Sequence, residues 1–301
     1  MKHLVSITDI TSEQMQEIFN LASKFEKFQY PDLLKNKIAA TLFFEPSTRT
    51  RLSFETAMER LGGKIIGFTS ATSSSVSKGE TLKDTILTVA NYSDIIILRH
   101  PLEGSARYAA EISPIPIVNA GDGANQHPSQ TLLDLYSILK TQGTLNNLTI
   151  TLVGDLKYGR TVHSLIMAMK NFNPTFFLIA HQKLKLPDEY KKILNQNNIE
   201  YYESEIFDPK YIKQSDIIYM TRVQKERFSD LLEYEKTKDL YQLKLDMLTN
   251  VKKNLKILHP LPRVYEIDTD IDKTPYAYYF QQAKNGVYVR QAIIVKLLNI
   301  L

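Results

Sequence analysis

The sequence predicts an α/β fold of two doubly wound parallel-sheet domains with a substrate cleft between them. Three observations predict it. Short apolar segments alternate with amphipathic ones along nearly the whole chain, the pattern of a parallel sheet covered on both faces. The alternation restarts after the polar stretch Thr141-Gln142-Gly143-Thr144-Leu145-Asn146-Asn147, which reads as a linker. A length of 301 residues exceeds what one hydrophobic core usually holds. The expected division is a first domain over 1–140, a second over 141–283, and a C-terminal helix near 284–301 that packs back on the first.

In order, Thr11 to Phe28 reads as an amphipathic helix. Thr11 and Gln14 give a capping-box pattern, and Met15, Ile18, Phe19, Ala22 and Phe25 form one apolar stripe. Strands are expected at 38–44, 64–68, 94–99 and 116–119, with helices near 49–61, 80–91, 104–112 and 128–141. In the second half the spacing predicts strands at 148–153, 175–180, 216–220 and 256–258. Helices are expected from about Gly159, near 187–197 and 239–252, and over 275–299.

Composition narrows the function. A hydrophobic fraction of 43% and a charged fraction of 23% describe an ordinary globular protein. A net charge of +4 suits acidic small molecules and shows no basic stripe for nucleic acid. The chain has no cysteine, so disulfides, thiolate metal sites and a Cys nucleophile are excluded. No segment has the length and character of a membrane span or signal peptide, and a cytoplasmic protein is expected. No metal or cofactor is expected.

Chemistry is expected at strand ends, where open α/β sheets bind ligands. Ser47-Thr48-Arg49-Thr50-Arg51 opens the helix after the first strand. A helix N-terminus favours anions, and hydroxyls and guanidinium forks add oriented donors, so this is a phosphate cradle without a glycine-rich loop. A helix cap alone needs one hydroxyl; here three alternate with two arginines. Arg99 ends the third strand, and His127-Pro128-Ser129-Gln130 starts a helix after the fourth. Gly154-Asp155-Leu156-Lys157-Tyr158-Gly159-Arg160 lacks the three-glycine dinucleotide fingerprint, which excludes a nicotinamide site there. Arg160 and Arg222, at two further strand ends, fit a dicarboxylate. The prolines of His259-Pro260-Leu261-Pro262-Arg263 cannot continue a ladder and leave carbonyls for an amide-like ligand. The polar segment Ser73 to Glu80, with its one lysine, reads either as a surface loop or as a lid.

Together these motifs resemble, in order and over nearly the whole chain, the carbamoyltransferase family. Lys78-Gly79-Glu80 and Pro260 between His259 and Leu261 look like its aspartate branch. The resemblance implies transfer of a carbamoyl group from carbamoyl phosphate to L-aspartate, a step of de novo pyrimidine biosynthesis. Ornithine carbamoyltransferase and a non-catalytic phosphate-binding relative are the alternatives. It further implies that Ser47, Thr48, Arg49, Thr50 and Arg99 bind the phosphate, and that Thr50, Arg99 and His127 donate to the carbonyl oxygen. Gln130 and the carbonyls of Pro260 and Leu261 would hold the carbamoyl amino group. Ser74 and Lys78 would come from a neighbouring subunit of a homotrimer. Arg160, Arg222, Gln224 and Lys78 would hold aspartate, and Leu261-Pro262 would be cis. Glu45 would bridge the domains to Arg160 and Arg227, and Glu233 would pair with Lys157 and Tyr158. Some members also bind separate zinc-carrying regulatory chains; lacking cysteine, this chain would leave any zinc thiolate site to that partner. Tyr265 departs from the acidic residue common there in the family.

Overall fold

A computed structural model describes residues 1–70, 79–223 and 240–301. They form two compact units, Met1–Tyr136 with Lys284–Leu301, and Ser137–Ala283.

In the first unit, α1 (Ser12–Lys27) begins with both halves of the Thr11–Gln14 capping box in place and buries the predicted apolar stripe. A fully parallel sheet is built from β1 (Ile38–Phe43), β2 (Lys64–Phe68), β3 (Ile95–His100) and β4 (Ile117–Asp122), in the order β2-β1-β3-β4. The strands are connected through α2 (Thr48–Glu59), α3 (Leu82–Ala90) and α4 (Ser105–Ile112), and α5 (Pro128–Gln142) follows β4. Central strand β1 is buried from Ala39 onward, whereas edge strand β2 is largely exposed. Asp94 fixes the amino ends of the strands: its carboxylate accepts from Lys37 Nζ and from the Ile38 N–H, each at 2.8 Å. From β1 the chain builds outward to β2, then reverses to β3 and β4. The crevice at the carboxyl ends of β1 and β3 is therefore the topological switch point, the usual ligand position in such sheets.

The second unit repeats the plan with five parallel strands: β5 (Thr149–Val153), β6 (Thr175–Ile179), β7 (Tyr201–Ser204), β8 (Ile217–Met220) and β9 (Lys256–Leu258). Their order is β7-β6-β5-β8-β9, with the switch point between β5 and β8. Helices α6 (Arg160–Met169), α7 (Asp188–Gln196) and α8 (Pro209–Gln214) accompany it. The chain passes from the first unit to the second within α5 and returns within α9 (Tyr279–Leu297).

Strand β7 and helix α8 were not expected from periodicity; with four and six residues, each is too short to show one. Conversely, in the described part of the expected 239–252 helix only Leu240 is α-helical, and beyond it only the 3-10 segment Leu245–Leu248 is helical. The Leu243 backbone is taken by another partner: its N–H donates to Glu266 O and its carbonyl accepts from the Asp268 N–H, both at 2.9 Å. A residue bridged in this way cannot also serve an α-helical ladder.

Candidate active site

At the first switch point, Ser47 is the N-cap of α2 in extended conformation, and its side chain makes no capping hydrogen bond. The hydroxyl is thus not spent on the helix it introduces. Thr48 and Arg49 are exposed, while Thr50 is buried. Desolvation by its neighbours lowers the pKa of Arg49, but a guanidinium remains charged at neutral pH. The neighbouring strand delivers Arg99 to the same edge, opposite Phe43 in the β1–β3 register. Its Nη2 pairs with Glu45 Oε1 at 2.6 Å and its Nη1 donates to the Ala120 carbonyl at 3.2 Å. A strong cation is thereby held at the mouth of the cradle, with the carboxylate that orients it still partly exposed. Glu45, expected to reach Arg160 and Arg227, pairs here with Arg99.

His127 lies at the same carboxyl edge, beyond β4. Its carbonyl accepts from the Gln130 and Thr131 N–H groups at 2.9 and 3.1 Å, which starts α5. The preceding loop is fixed by buried Asp122, which accepts from Asn119, Gly104, Asn125 and Gln126. His127 itself is buried, with Nδ1 3.3 Å from Ser129 Oγ. Gln130 Nε2 donates to Asp134 Oδ1 at 2.9 Å. That bond fixes the amide orientation and leaves Oε1, an acceptor, for other groups.

Behind these residues lie two buried opposite charges that periodicity does not reveal. Asp134 is fully buried, and Arg290 on α9 is 3% exposed. Arg290 Nη1 donates to Ser53 Oγ on α2 at 2.9 Å, and its guanidinium carbon sits 5.0 Å from the Phe54 ring centroid. Burial pushes the Arg290 pKa down to about 10 against the opposing attraction of Asp134. The group stays cationic at neutral pH. Within the first unit it is bonded to the cradle helix at Ser53 and attracts the carboxylate that orients Gln130. The only trace of it in the sequence is the Arg290-Gln291 pair inside an otherwise apolar helical segment, Val287 to Val295.

In the second unit, the loops following β5 and β8 are tied together. The Asp155 N–H donates to Thr221 Oγ1, which in turn donates to the Val153 carbonyl, both at 2.8 Å. Gly154 has φ +110°, and a Cβ there would lie 2.4 Å from the Thr221 carbonyl oxygen, so this close approach requires glycine. Asp155 Oδ1 accepts from the Lys157 and Tyr158 N–H groups, shaping the turn into α6. Arg160 thus stands at the first position of α6 and Arg222 two residues beyond β8, both half-buried and at one sheet edge.

After β9, the peptide bond Leu261-Pro262 is cis as expected, and Leu261 has φ +58°. His259 and Glu266 flank this turn, and their side chains are each 1% exposed. His259 Nε2 lies 2.8 Å from Glu266 Oε1, and the Leu261 N–H donates to His259 Nδ1 at 2.7 Å. Glu266 Oε2 accepts from the Val264 and Tyr265 N–H groups, each at 3.0 Å. Burial raises the Glu266 pKa, but the hydrogen bond from His259 and the backbone donors outweigh it, and the net direction is down. Tyr265, the departure from the family pattern, donates its hydroxyl to the Val223 carbonyl at 2.9 Å, beside Arg222.

The fold therefore gathers Ser47, Thr48, Arg49, Thr50, Arg99, His127 and Gln130 on one edge of the first sheet, and Arg160, Arg222, Pro260 and Leu261 on one edge of the second. Ser74, Lys78, Gln224, Arg227 and Glu233 lie outside the described residues. Among the described residues there is no helix long and apolar enough to cross a membrane.

Residues 2–140 match the aspartate/ornithine carbamoyltransferase carbamoyl-P binding domain, and residues 146–297 match the Asp/Orn binding domain of the same family. The chain is 62% identical over 299 residues to the aspartate carbamoyltransferase catalytic subunit of Bacteroides fragilis, covering 99% of this chain and 97% of that protein. It superposes on the catalytic subunit of M. jannaschii aspartate transcarbamoylase with a TM-score of 0.94 at 50% identity, covering 99% and 98% of the two chains. With the Trypanosoma cruzi aspartate transcarbamoylase in complex with carbamoyl phosphate and aspartate, the TM-score is 0.90 at 34% identity, covering 97% and 94%.

Proposed function

The chain belongs to the aspartate/ornithine carbamoyltransferase family, and we propose that it transfers the carbamoyl group of carbamoyl phosphate to the amine of L-aspartate, giving N-carbamoyl-L-aspartate and phosphate. The observation that carries this reading is a helix-cap serine whose hydroxyl is not used for capping, set at a topological switch point beside Arg99.

Carbamoyl phosphate binds through its phosphate to Ser47, Thr48, Arg49, Thr50 and Arg99, where helix N–H groups, hydroxyls and guanidinium forks share its charge. Gln130 Oε1 accepts from the carbamoyl amino group, as do the Pro260 and Leu261 carbonyls. Arg160 and Arg222, with Gln224, hold the carboxylates of aspartate. Two carboxylates on two arginines favour aspartate over ornithine, whose side chain ends in a cation.

The aspartate amine attacks the carbamoyl carbon, and negative charge builds on the carbonyl oxygen. Thr50, Arg99 and His127 donate to that oxygen as the charge grows; such preorganised donors are commonly the largest catalytic term. His127 acts as a neutral donor, with Ser129 at Nδ1 and the proton on Nε2. The carbon–oxygen bond to phosphate then breaks, and phosphate takes the proton lost by the amine, so no protein base is required. Ordering two charged substrates in line supplies much of the remaining acceleration. The enzyme acts as a cytoplasmic homotrimer in de novo pyrimidine biosynthesis, with Ser74 and Lys78 entering the site of an adjacent subunit. Regulatory chains, where present, associate with that trimer.

The test is a carbamoyl-transfer assay on the purified chain with L-aspartate and L-ornithine offered separately, alongside a mass measurement in solution. Carbamoyl-aspartate from a trimer is expected. Citrulline as the product would overturn the choice of amine, and an active monomer would overturn the shared site.

A further inference from the structure

We infer that His259 and Glu266 are positioning residues for the carbamoyl amino group: Glu266 fixes the tautomer of His259, and His259 in turn holds the peptide whose carbonyls accept from the substrate. This rests on the role proposed above for Pro260 and Leu261.

The tautomer follows from the bonds. The Leu261 N–H donates to His259 Nδ1 at 2.7 Å, so that nitrogen is the acceptor and carries no proton. The ring proton is then on Nε2, where Glu266 Oε1 accepts it at 2.8 Å. The other carboxylate oxygen is occupied by the Val264 and Tyr265 N–H groups. Glu266 thus accepts three hydrogen bonds, donates none, and is buried with its partner. A neutral imidazole on a fully bonded carboxylate satisfies every buried donor and acceptor in this set.

The consequence lies in the backbone. Leu261 sits at φ +58°, a conformation that a branched residue seldom takes unless its surroundings over-determine it. The Leu261 N–H bond to His259 supplies one such restraint, and the Glu266 bonds to the 264 and 265 amides close the turn from its far side. With these N–H groups satisfied internally, the Pro260 and Leu261 carbonyls are presented at a fixed spacing. The pair touches no substrate in this scheme and acts only through the turn.

Glu266→Gln is the sharpest perturbation, because it changes one oxygen to an NH2 without changing shape. One orientation sets that NH2 against the His259 Nε2–H and the other sets it against two backbone N–H groups, so one donor must lose its acceptor. The experiment is histidine-selective 15N NMR on the full chain together with steady-state kinetics. The parent is expected to show His259 protonated on Nε2 only. In Glu266→Gln that signal should switch tautomer or broaden. The KM for carbamoyl phosphate should then rise about tenfold, as for loss of one well-placed hydrogen bond, while the KM for aspartate stays within about twofold. Parent His259 carrying its proton on Nδ1, or on both nitrogens, would overturn the inference without any variant. So would a variant with altered tautomer and unchanged carbamoyl phosphate KM, or one in which both KM values rise equally. A parent with the Nε2–H tautomer but no carbamoyl transfer would overturn the proposed activity and leave the pairing intact.

Discussion

The two units share a plan and differ in what they place at its centre. Each is a parallel sheet whose strand order reverses between two neighbours, and each sets its functional side chains at the carboxyl ends of those neighbours. At the first reversal stand hydroxyls, a helix N-terminus and Arg99; at the second stand Arg160 and Arg222, with no hydroxyl-rich cap. The first arrangement suits a compact, multiply charged anion met by many donors, as in the role proposed above. The second suits separate carboxylates met by separate forks. The sheet determines where a ligand goes, and the residues just beyond two strand ends determine which ligand it is.

Four substitutions would break or sharpen that contrast. The largest effect is expected for Arg290→Leu, which removes a buried donor to Ser53 and the buried cation that attracts the Asp134 carboxylate. Leaving a buried carboxylate without its counter-charge costs about 3–5 kcal/mol, to be read from the denaturant midpoint at constant m-value. An unchanged midpoint would show that the first unit does not depend on this link. Next comes His127→Ala, for which kcat should fall about 10²–10³-fold, as when an oxyanion donor is lost, with the KM for aspartate little changed. A comparable rise in that KM instead would mean that the donor set is not confined to the first sheet.

Arg160→Ala should be milder and opposite in character. The KM for aspartate is expected to rise about 10–100-fold, from loss of a charged hydrogen bond worth about 1.5–3 kcal/mol. Binding of carbamoyl phosphate, measured by calorimetry, should be unaffected. If both ligands weaken together, the division of labour between the two sheets fails.

The smallest effect is expected at Asp216, at the amino end of β8 and thus far along the strand from the ligand edge. Burial pushes its pKa up, but Lys252 Nζ, the Thr149 N–H and Asn254 Nδ2 outweigh it, and the net direction is down. A depressed folded-state pKa contributes stability that is fully present above the unfolded value near 4 and is lost as pH falls through the lower folded value. Asp216→Asn should therefore lower stability by about 1 kcal/mol at neutral pH, flatten the acid limb of the stability profile below about pH 4, and leave kcat unchanged. An acid limb identical to the parent's would rule out this carboxylate as a source of acid sensitivity.

Much of this could be read from residue pattern. The Thr11 cap, the apolar stripe of α1 and eight of the nine strands among the described residues have strong local periods or termini. The cradle and the arginines were visible because hydroxyls and guanidinium groups gather directly after apolar strands. What could not be read is whatever depends on partners distant in sequence. Asp134 and Arg290 are 156 positions apart and fall within electrostatic reach only after α9 returns to the first unit. Glu266 reads as one more surface acid until its bond to His259 is seen. The expected helix over 239–252 fails for the same reason, since Leu243 pairs with chain 23 residues ahead in Glu266.

The return of α9 also bears on the order of synthesis. Ser137–Ala283 is a continuous stretch, whereas the first unit draws on both ends of the chain. On the ribosome, the later-made unit is therefore the earlier one to have all its parts, against the usual N-terminal-first sequence of domain folding. Until the codon for Arg290 is read, Ser53 on the cradle helix and Asp134 behind Gln130 await a guanidinium that does not yet exist. A nascent chain released before Arg290 is added would carry every residue of the proposed phosphate cradle and still lack the strut on which it rests.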